Sequence, residues 1–360
     1  MAYISIARKW RPQTLTDVVG QPLVTQAISN AIKNKTLHPV YLLTGTRGVG
    51  KTTLARIIAK SINCEALQGT NPCLKCDTCV MIQEGRYADL YEIDAASRTK
   101  VEDTREILDQ VSYLPQMGKK KVYLIDEVHM LSQHSFNALL KTLEEPPEHV
   151  QFILATTEPQ KIPTTIKSRC IHFNLKPIGT ADIASQVQKI LEAEQIKFET
   201  EATHLIAEHA KGSMRDALTL LEQCISLSPS DINTVQVQSL INTIPNELII
   251  NLLTHIHAQD AQAIEQACAQ HEQNNINFES LLSNIANELY KITIAQLTKS
   301  SKHPLSNLWD PGYIQVLYRM AIIGLNDLPF SPTPKIGASM CLMRMAVFTP
   351  ELETKKKALS

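Results

Sequence analysis

The chain has 360 residues, of which 44% are hydrophobic, and its formal net charge is -1. This length leaves room for two or three domains, and the balanced charge excludes a strongly basic or acidic protein. Residues 1–178 hold 22 Lys and Arg against 17 Asp and Glu, whereas residues 179–360 hold 13 against 19, so the first half is favoured for phosphate contact. We find no apolar run of membrane-spanning length and no apolar signal-peptide core, which predicts a cytoplasmic protein without membrane contact.

Apolar patterns in the first half of the chain alternate between strand length and helical periodicity. The predicted elements, in order, are a helix over 25–33, a strand over 40–43, a helix over 54–60, a strand over 90–93, a helix over 101–111, a strand over 122–125, a helix over 135–143 and a strand over 150–155. Strands that alternate with helices are typical of a parallel sheet with helices on both faces.

The second half of the chain has a different pattern. After residue 178 the strand signals fade and amphipathic helical patterns follow, for example over 184–193 and 202–210. From about Thr243 the sequence again reads as helices only. We therefore predict three domains, which are 1–178 with an insert near 64–79, a helical domain over 179–242, and a helical domain over 243–360.

Residues 45–52 read G-T-R-G-V-G-K-T, a Walker A phosphate-binding loop that lies between a predicted strand and a predicted helix. Its glycines allow successive N–H groups to face one anion, and the helix that follows adds its positive end. Lys51 would reach the β and γ phosphates and Thr52 would ligate Mg²⁺. The alternative, a glycine-rich turn, is disfavoured by the flanking elements. The nucleotide contacts predicted here are Gly45, Thr46, Arg47, Gly48, Val49, Gly50, Lys51, Thr52 and Thr53.

A second acidic motif supports the first. The apolar run over 122–125 ends in Asp126 and Glu127, as a buried parallel strand that delivers carboxylates to its edge should. We predict that Asp126 is a Mg²⁺ partner, and that Glu127 orients and deprotonates the attacking water. Acids after a strand are often only helix N-caps, but the intact Walker A loop favours the catalytic interpretation.

Four of the eight cysteines lie in one short segment. Cys64, Cys73, Cys76 and Cys79 have the spacing C-x8-C-x2-C-x2-C, which suits a closed tetrahedral zinc site. Disulfides are disfavoured in a cytosolic protein, and an iron–sulfur cluster is the alternative, although the C-x3-C-P continuation of a ferredoxin is missing. Zinc is the predicted metal. The remaining cysteines are predicted to be core residues, namely Cys170, Cys224, Cys268 and Cys341.

Five further segments accompany these motifs in a fixed order, namely 8–12 (R-K-W-R-P), 17–21 (D-V-V-G-Q), 155–159 (A-T-T-E-P), 168–170 (S-R-C) and 212–218 (G-S-M-R-D-A-L). Together the motifs resemble the gamma/tau subunits of the bacterial DNA polymerase III clamp loader, which are AAA+ ATPases. The resemblance runs to at least residue 225, and the cysteine segment is a mark of that family. It implies an α/β P-loop AAA+ module, a small helical lid domain and an all-α collar domain that oligomerises.

The resemblance also implies roles for individual residues. Arg8, Pro12 and Val19 would lie beside the base and ribose, while for Trp10 we expect packing against the sheet. Thr157 would be a polar sensor near the γ phosphate, in place of the asparagine common in AAA+ proteins. Arg215 would touch the γ phosphate of its own chain, and Arg169 would reach the ATP of a neighbouring subunit. The predicted catalytic residues are therefore Lys51, Asp126, Glu127, Thr157, Arg169 and Arg215.

The function that the resemblance implies is mechanical. ATP binding would assemble the motor domains around a sliding clamp and primed DNA, and hydrolysis would release the closed clamp. The implied cofactors are ATP, Mg²⁺ and Zn²⁺. The implied partners are delta and delta-prime type subunits, copies of this chain, the sliding clamp and primed DNA, with polymerase core and replicative helicase reached through a longer form.

Basic residues suggest where DNA would bind. Arg98, Lys100 and Arg105 lie in and after a loop that leads into a predicted helix, and Lys141 lies on another helix. Phosphate contact would be sequence-independent, and a solvated basic face is the alternative. Two rival functions remain open. One is a helicase or branch-migration motor, because residues 126–129 also fit the pattern D-E-x-H, and the other is a non-hydrolysing scaffold.

Overall fold

The computed structural model describes residues 5–97, 110–241, 244, 246–273, 277–298, 303–306 and 308–348. The chain divides into two units, Met1–Val237 and Gln238–Ser360. This division falls a few residues before the predicted boundary after residue 242. The predicted division of the first unit after residue 178 stays a prediction. No helix among the described residues is long and apolar enough to cross a membrane.

The first unit contains a five-stranded sheet with the order β2-β3-β4-β1-β5, in which every described pair is parallel. The strands are β1 (Val40–Thr44), β2 (Leu90–Asp94), β3 (Lys121–Asp126), β4 (Val150–Thr156) and β5 (Ile171–Asn174). Strands β1 and β4 are buried along their whole length, which explains their nearly continuous apolar sequences. The carboxyl ends of these strands form one edge, and that edge carries the site.

Helices cover both faces of this sheet. The helices of this part of the chain are α1 (Ile6–Lys9), α2 (Pro22–Lys33), α3 (Lys51–Asn63), α4 (Asp77–Glu84), α5 (Gln133–Glu144) and α6 (Thr164–Lys167). Of these, α2 and α3 pack on one face of the sheet, and α5 and α6 pack on the other. Along β1, Val40 and Leu42 join an apolar cluster with α5, whereas Tyr41 and Leu43 join a second cluster with α2 and α3. This alternation is the period of two that a strand imposes on its side chains.

The first unit continues into three helices, α7 (Thr180–Ala193), α8 (Thr200–His209) and α9 (Met214–Leu227), and the division after Val237 falls within a fourth, α10 (Thr234–Leu240). A pair of two-residue parallel strands, β6 (Lys197–Phe198) and β7 (Asp231–Ile232), links the loops around them. Each of α7, α8 and α9 buries one apolar face, as an amphipathic helix should. We call α7–α10 the lid helices.

All regular elements among the described residues of the second unit are helices. Its helices are α11 (Asn246–Ala258), α12 (Ala261–Gln273), α13 (Phe278–Thr298), α14 (Pro311–Asp327) and α15 (Pro334–Val347). They enclose one apolar cluster to which all five contribute. Buried Glu288 accepts hydrogen bonds from Lys291 Nζ at 2.9 Å and lies 2.7 Å from His303 Nε2, so its carboxylate is paired.

Most predicted elements are confirmed, and their bounds differ at the ends. Helices α2 and α3 each begin three residues before the predicted start, because the prediction counted only the apolar stripe. Strand β5 was not predicted, since it is a short edge strand with exposed residues. The predicted helix over 101–111 lies outside the described residues except at its end, where Gln110–Ser112 forms a 3-10 turn.

Candidate nucleotide site and cysteine cluster

The loop between β1 and α3 has a backbone that needs glycine. Gly45, Gly48 and Gly50 have φ of 145°, 80° and 102°, in the range that side chains disfavour. A Cβ on Gly45 would lie 2.4 Å from the Leu175 carbonyl oxygen, and one on Gly48 would lie 1.9 Å from Ser213 Oγ. Both positions therefore exclude any larger residue. The positive φ angles let the loop curl so that its backbone N–H groups can face a bound anion.

Lys51 is the first residue of α3 and is 6% exposed. Its Nζ donates to the carbonyls of Gly45 at 2.8 Å and Thr46 at 2.9 Å. Burial lowers the pKa of Lys51, while the nearby Glu127 and Asp126 carboxylates act in the opposite direction. A cation held beneath a glycine-rich loop is the arrangement that phosphate binding requires.

Two oxygen ligands meet beside this lysine. Thr52 Oγ1 donates to Asp126 Oδ2 at 2.7 Å, and Asp126 Oδ1 accepts the Glu127 N–H at 3.0 Å. The pair forms because β1 and β3 end at the same edge of the sheet. A hydroxyl and a carboxylate at this position suit Mg²⁺, which takes oxygen ligands.

Glu127 follows Asp126 in a left-handed conformation, with φ of 47°. Its Oε2 accepts from both the N–H and the hydroxyl of Thr157, at 3.0 and 2.9 Å. The His129 side chain is 6% exposed, and its Nδ1 lies 3.3 Å from the same oxygen while its Nε2 lies 3.2 Å from Glu158 Oε1. The family resemblance predicted a site role for Thr157, whereas the position of His129 between two carboxylates is visible only in the structure.

A pocket of about 970 Å³ opens above these residues. Of the predicted site residues, it brings together Arg8, Pro12, Val19, Arg47, Gly48, Val49, Gly50, Lys51, Thr52, Thr53, Asp126, Glu127 and Arg215. Arg11 and Arg56 also line it and were not predicted. Burial lowers the pKa of Arg11, and the positive charges of Arg56 and Arg215 lower it further. This concentration of guanidinium groups suits a polyphosphate.

The expectation that Trp10 packs against the sheet is wrong. Its indole N–H donates to Glu194 Oε1 at 2.7 Å, directly after α7, and Lys9 Nζ binds the same carboxylate. The Ile6 N–H donates to Glu222 on α9 at 3.0 Å. Helix α1 therefore binds the lid helices across the pocket, because its polar groups find carboxylates there that a sheet surface would not offer.

Arg169 lies outside the pocket and is about one-third exposed, at 34% of its side chain. Its Nη2 donates to Glu144 Oε1 at 2.7 Å and its Nη1 to the Thr165 carbonyl at 2.7 Å. The predicted role in a neighbouring subunit stays a prediction. Lys141 is exposed on α5, whereas Arg98, Lys100 and Arg105 lie outside the described residues.

Cys64, Cys73, Cys76 and Cys79 form a cluster whose Sγ atoms lie within 4.8 Å of one another. Four thiolates around one tetrahedral ion with metal–sulfur bonds of about 2.3 Å would lie at a similar separation, so the donor set fits zinc. Leu74 has φ of 61° and turns the chain between two of the ligands, and the Cys76 N–H donates to Cys73 Sγ at 3.3 Å.

The thiols of this cluster differ in their acidity. Backbone N–H groups of Lys75 and Cys76 lower the pKa of Cys73 to about 6, whereas burial raises the pKa of Cys64 and of Cys79. A divalent cation is the partner that would stabilise all four as thiolates. The other cysteines are buried or half-buried and apart from this cluster, which agrees with core packing.

The fold and the site define a P-loop nucleotide-binding module with helices above its pocket. Residues 20–179 match the family model described as DNA polymerase III, delta subunit, and residues 182–230 match that of the DNA polymerase III clamp loader subunit, ATPase lid domain. The tau subunit of Escherichia coli DNA polymerase III is 44% identical over 98% of this chain and 56% of its own length. The gamma subunit of Buchnera aphidicola subsp. Baizongia pistaciae is 44% identical over 96% and 97%.

This chain belongs to the gamma/tau subunit family of DNA polymerase III, and the family indicated by the motifs is confirmed. It spans just over half the length of the Escherichia coli and Salmonella typhimurium tau subunits that it matches. Among solved structures, the Thermotoga maritima RuvB Holliday junction branch migration motor has a TM-score of 0.49 and 21% identity over 69% of this chain and 79% of its own.

Proposed function

We propose that this chain is the ATP-driven motor subunit of a clamp loader, which opens a sliding clamp and loads it onto primed DNA. The observation that carries the proposal is the complete phosphate-binding constellation, with Lys51 beneath its loop, Thr52 paired to Asp126, and Glu127 beside them. The process in which this motor acts is proposed from its relatives, which are gamma and tau subunits of DNA polymerase III.

Each group has a role in hydrolysis. Lys51 binds the β and γ phosphates, and Thr52 and Asp126 hold Mg²⁺, which supplies charge neutralisation there. Glu127 orients the attacking water and accepts its proton, as a carboxylate within hydrogen-bond reach can do. Thr157 contacts Glu127 through two donors, so it sets the position of the base as well as sensing the γ phosphate.

The lid helices connect nucleotide binding to movement. The Met214 N–H, at the start of α9, donates to the Gly48 carbonyl at 3.1 Å, and Ser213 fills the space beside Gly48. Arg215 follows on the same helix and lines the pocket. A ligand shifts a conformational equilibrium only when it binds one state more tightly. Because the phosphate loop contacts α9 directly, ATP can bind more tightly to one position of α9 than to another.

Arg169 completes the site of a neighbouring subunit in this proposal. A guanidinium that enters from another chain stabilises charge on the transferred phosphoryl group, an effect of about 10³ to 10⁵ in rate where it has been measured. The bond to Glu144 is exposed, so its exchange for a phosphate costs little. The isolated chain should therefore hydrolyse ATP slowly.

The second unit provides a surface for assembly. On α13 and α14, large apolar side chains are exposed, with Tyr290 at 60% and Leu297 at 68%. Exposed apolar patches of this kind mark protein–protein contacts. We assign this surface to the collar that joins copies of the chain and the delta and delta-prime type subunits.

The first unit has a separate surface for the clamp. We call residues 112–120 the docking loop; it exposes Tyr113 at 68%, Leu114 at 73% and Met117 at 58%. The loop contains no acidic residue and ends in lysines, of which Lys119 is exposed. A partner for it therefore needs an apolar pocket with an acidic rim, and the sliding clamp is the partner that this function provides.

The cysteine cluster is proposed to hold one structural zinc ion, because four thiolates leave no open position for chemistry. Elemental analysis of the purified chain should give one zinc per chain. Iron with sulfide absorbance would instead identify the iron–sulfur alternative.

ATP turnover of the purified chain tests the function. The chain is measured alone and with delta and delta-prime type subunits, sliding clamp and primed DNA. We expect a slow basal rate that rises strongly only when clamp and primed DNA are both present, and that Arg169→Ala abolishes. A turnover rate that does not change when the clamp is added, or one accompanied by strand separation at duplex junctions, would support the helicase alternative.

A further inference from the structure

The docking loop is held by its backbone in an unusual way. The carboxylate of Asp89 is fully buried and accepts the N–H groups of Gln116, Met117 and Gly118, at 2.8, 2.7 and 2.8 Å. A buried carboxylate that accepts three N–H groups forms strong, charge-assisted bonds. Three consecutive residues of an otherwise irregular loop are therefore fixed by one side chain.

A second buried side chain holds the next two residues. Asn63 Oδ1 accepts the N–H groups of Lys119 and Lys120, both at 2.9 Å, and its Nδ2 donates to the Lys120 carbonyl at 3.0 Å. Asn63 is 2% exposed. The five consecutive amides from residue 116 to residue 120 thus all donate to Asp89 or Asn63, and none of these bonds belongs to a helix or a sheet.

Both anchors lie on chain segments that flank the cysteine cluster. Asn63 ends α3 directly before Cys64, and Lys119 Nζ donates to the Cys64 carbonyl at 2.9 Å. Asp89 follows α4, the helix that carries Cys79. The two anchors meet at Gly118, where an added Cβ would lie 2.1 Å from Tyr87 Oη and 2.7 Å from Asn63 Oδ1.

A third buried residue, Lys121, contacts the start of the docking loop. Buried Lys121, which follows the loop, donates to the Gln110 carbonyl at 3.0 Å, and its Nζ lies 5.9 Å from the ring centre of Tyr113. Such a cation near a ring restricts where the ring can lie. Met117 therefore projects from an anchored backbone, and Tyr113 lies near a buried cation at the start of the loop.

We propose that the metal-binding cysteine cluster, acting through Asn63 and Asp89, holds the docking loop in shape and makes the surface formed by Tyr113, Leu114 and Met117 metal-dependent. The coupling between cluster and loop stands on these contacts alone. The identity of the partner, the sliding clamp, rests on the proposed function. The cysteine segment is otherwise a motif that ATP hydrolysis does not use.

Hydrogen exchange measured by mass spectrometry tests the coupling in the full chain. Cys76→Ser, or removal of zinc by a chelator, should make the amides of residues 116–120 exchange at least about tenfold faster, because their acceptors lose a fixed position. The amides of β4 should keep their protection. Cys170→Ser, which replaces a thiol outside the cluster, is the matched control and should change neither region.

A second variant separates the anchor from the metal. Asn63→Ala should leave zinc content unchanged and release the amides of Lys119 and Lys120 in particular. The proposal is overturned if the loop stays protected after zinc is removed. It is equally overturned if β4 exchanges together with the loop in both variants, since the metal would then stabilise the unit as a whole.

Clamp binding separates this inference from the proposed function. Leu114→Ser should weaken binding of the sliding clamp, and Cys76→Ser should weaken it by a similar factor while ATP binding persists. If the loop depends on zinc but neither variant changes clamp binding, the coupling holds and the assignment of the clamp to this loop fails.

Discussion

Some residues of the site could be predicted from the sequence, and others could not. Lys51, Thr52 and Asp126 belong to motifs whose residue types and spacing indicate phosphate and Mg²⁺ binding, so they could be predicted from the sequence alone. Asn63 and Asp89 carry no such signal, because their partners lie at distant positions of the chain and the contacts exist only after folding. Trp10 was misplaced for the same reason, since its partner Glu194 follows 184 positions later. His129 belongs to the pattern D-E-x-H, but its contacts with Thr156 and Glu158 were not predicted.

Glu127→Gln separates nucleotide binding from hydrolysis. The amide keeps the size of the side chain but cannot accept a proton, so turnover should fall by about 10² to 10⁴. ATP affinity should change little, because Lys51 and the phosphate loop are untouched. Equilibrium binding of a fluorescent ATP analogue, measured beside turnover, checks both parts. Unchanged turnover would remove Glu127 from its role as base.

We infer that His129 positions Glu127, since its side chain is 6% exposed and contacts both Glu127 and Glu158. His129→Gln should lower kcat by roughly tenfold to 100-fold through displacement of the base, with KM for ATP nearly unchanged. His134→Gln, a like change at an exposed histidine of α5, is the control. A rise in KM at constant kcat would instead place His129 in nucleotide binding.

At the scale of elements, buried parallel strands were the easiest to predict and the shortest elements were the hardest. Strands β1, β3 and β4 are nearly continuous apolar runs because both of their faces are covered. Strands β6 and β7 have two residues each, too few for any period to appear, and α1 has only four. The contacts of α1 with the lid were equally invisible, since they depend on side chains from separate segments.

Glu194→Gln tests the contact between α1 and the lid helices. Hydrogen bonds from Lys9 and Trp10 lower the pKa of Glu194, so its contribution to stability is present above the ordinary carboxyl pKa near 4.3. That contribution is lost as the pH falls through the lower, folded pKa. The variant should be destabilised by less than ~1 kcal/mol at pH 7, and the difference should vanish in acid. Urea denaturation at both pH values measures it.

The whole molecule consists of two units with different tasks. The first holds the pocket and the cysteine cluster, and the second presents an apolar surface that its own core does not cover. The sequence predicted the helical second unit from its periodicity. It could not show which apolar residues stay exposed, because a helix that faces a core and one that faces a partner have the same pattern.

Leu297→Ser tests assembly through the second unit. Leu297 is 68% exposed, so its replacement should leave the fold intact and weaken self-association. Sedimentation velocity over a range of concentrations should show more monomer, with a dissociation constant for self-association raised by about tenfold or more. Ser283→Ala on the same helix is the control. Equal association of the variant and the parent chain would exclude this face from the interface.

The contact of Gly48 with α9 has a geometric consequence. The Ile178 N–H donates to the Gly212 carbonyl at 3.0 Å, so the chain segments that join the sheet to α9 are fixed close to the phosphate loop. Helix α9 has 14 residues and is about 21 Å long. The helix is held at the phosphate loop by its first residue, so a rotation about that end would move its far end several times farther than its first turn.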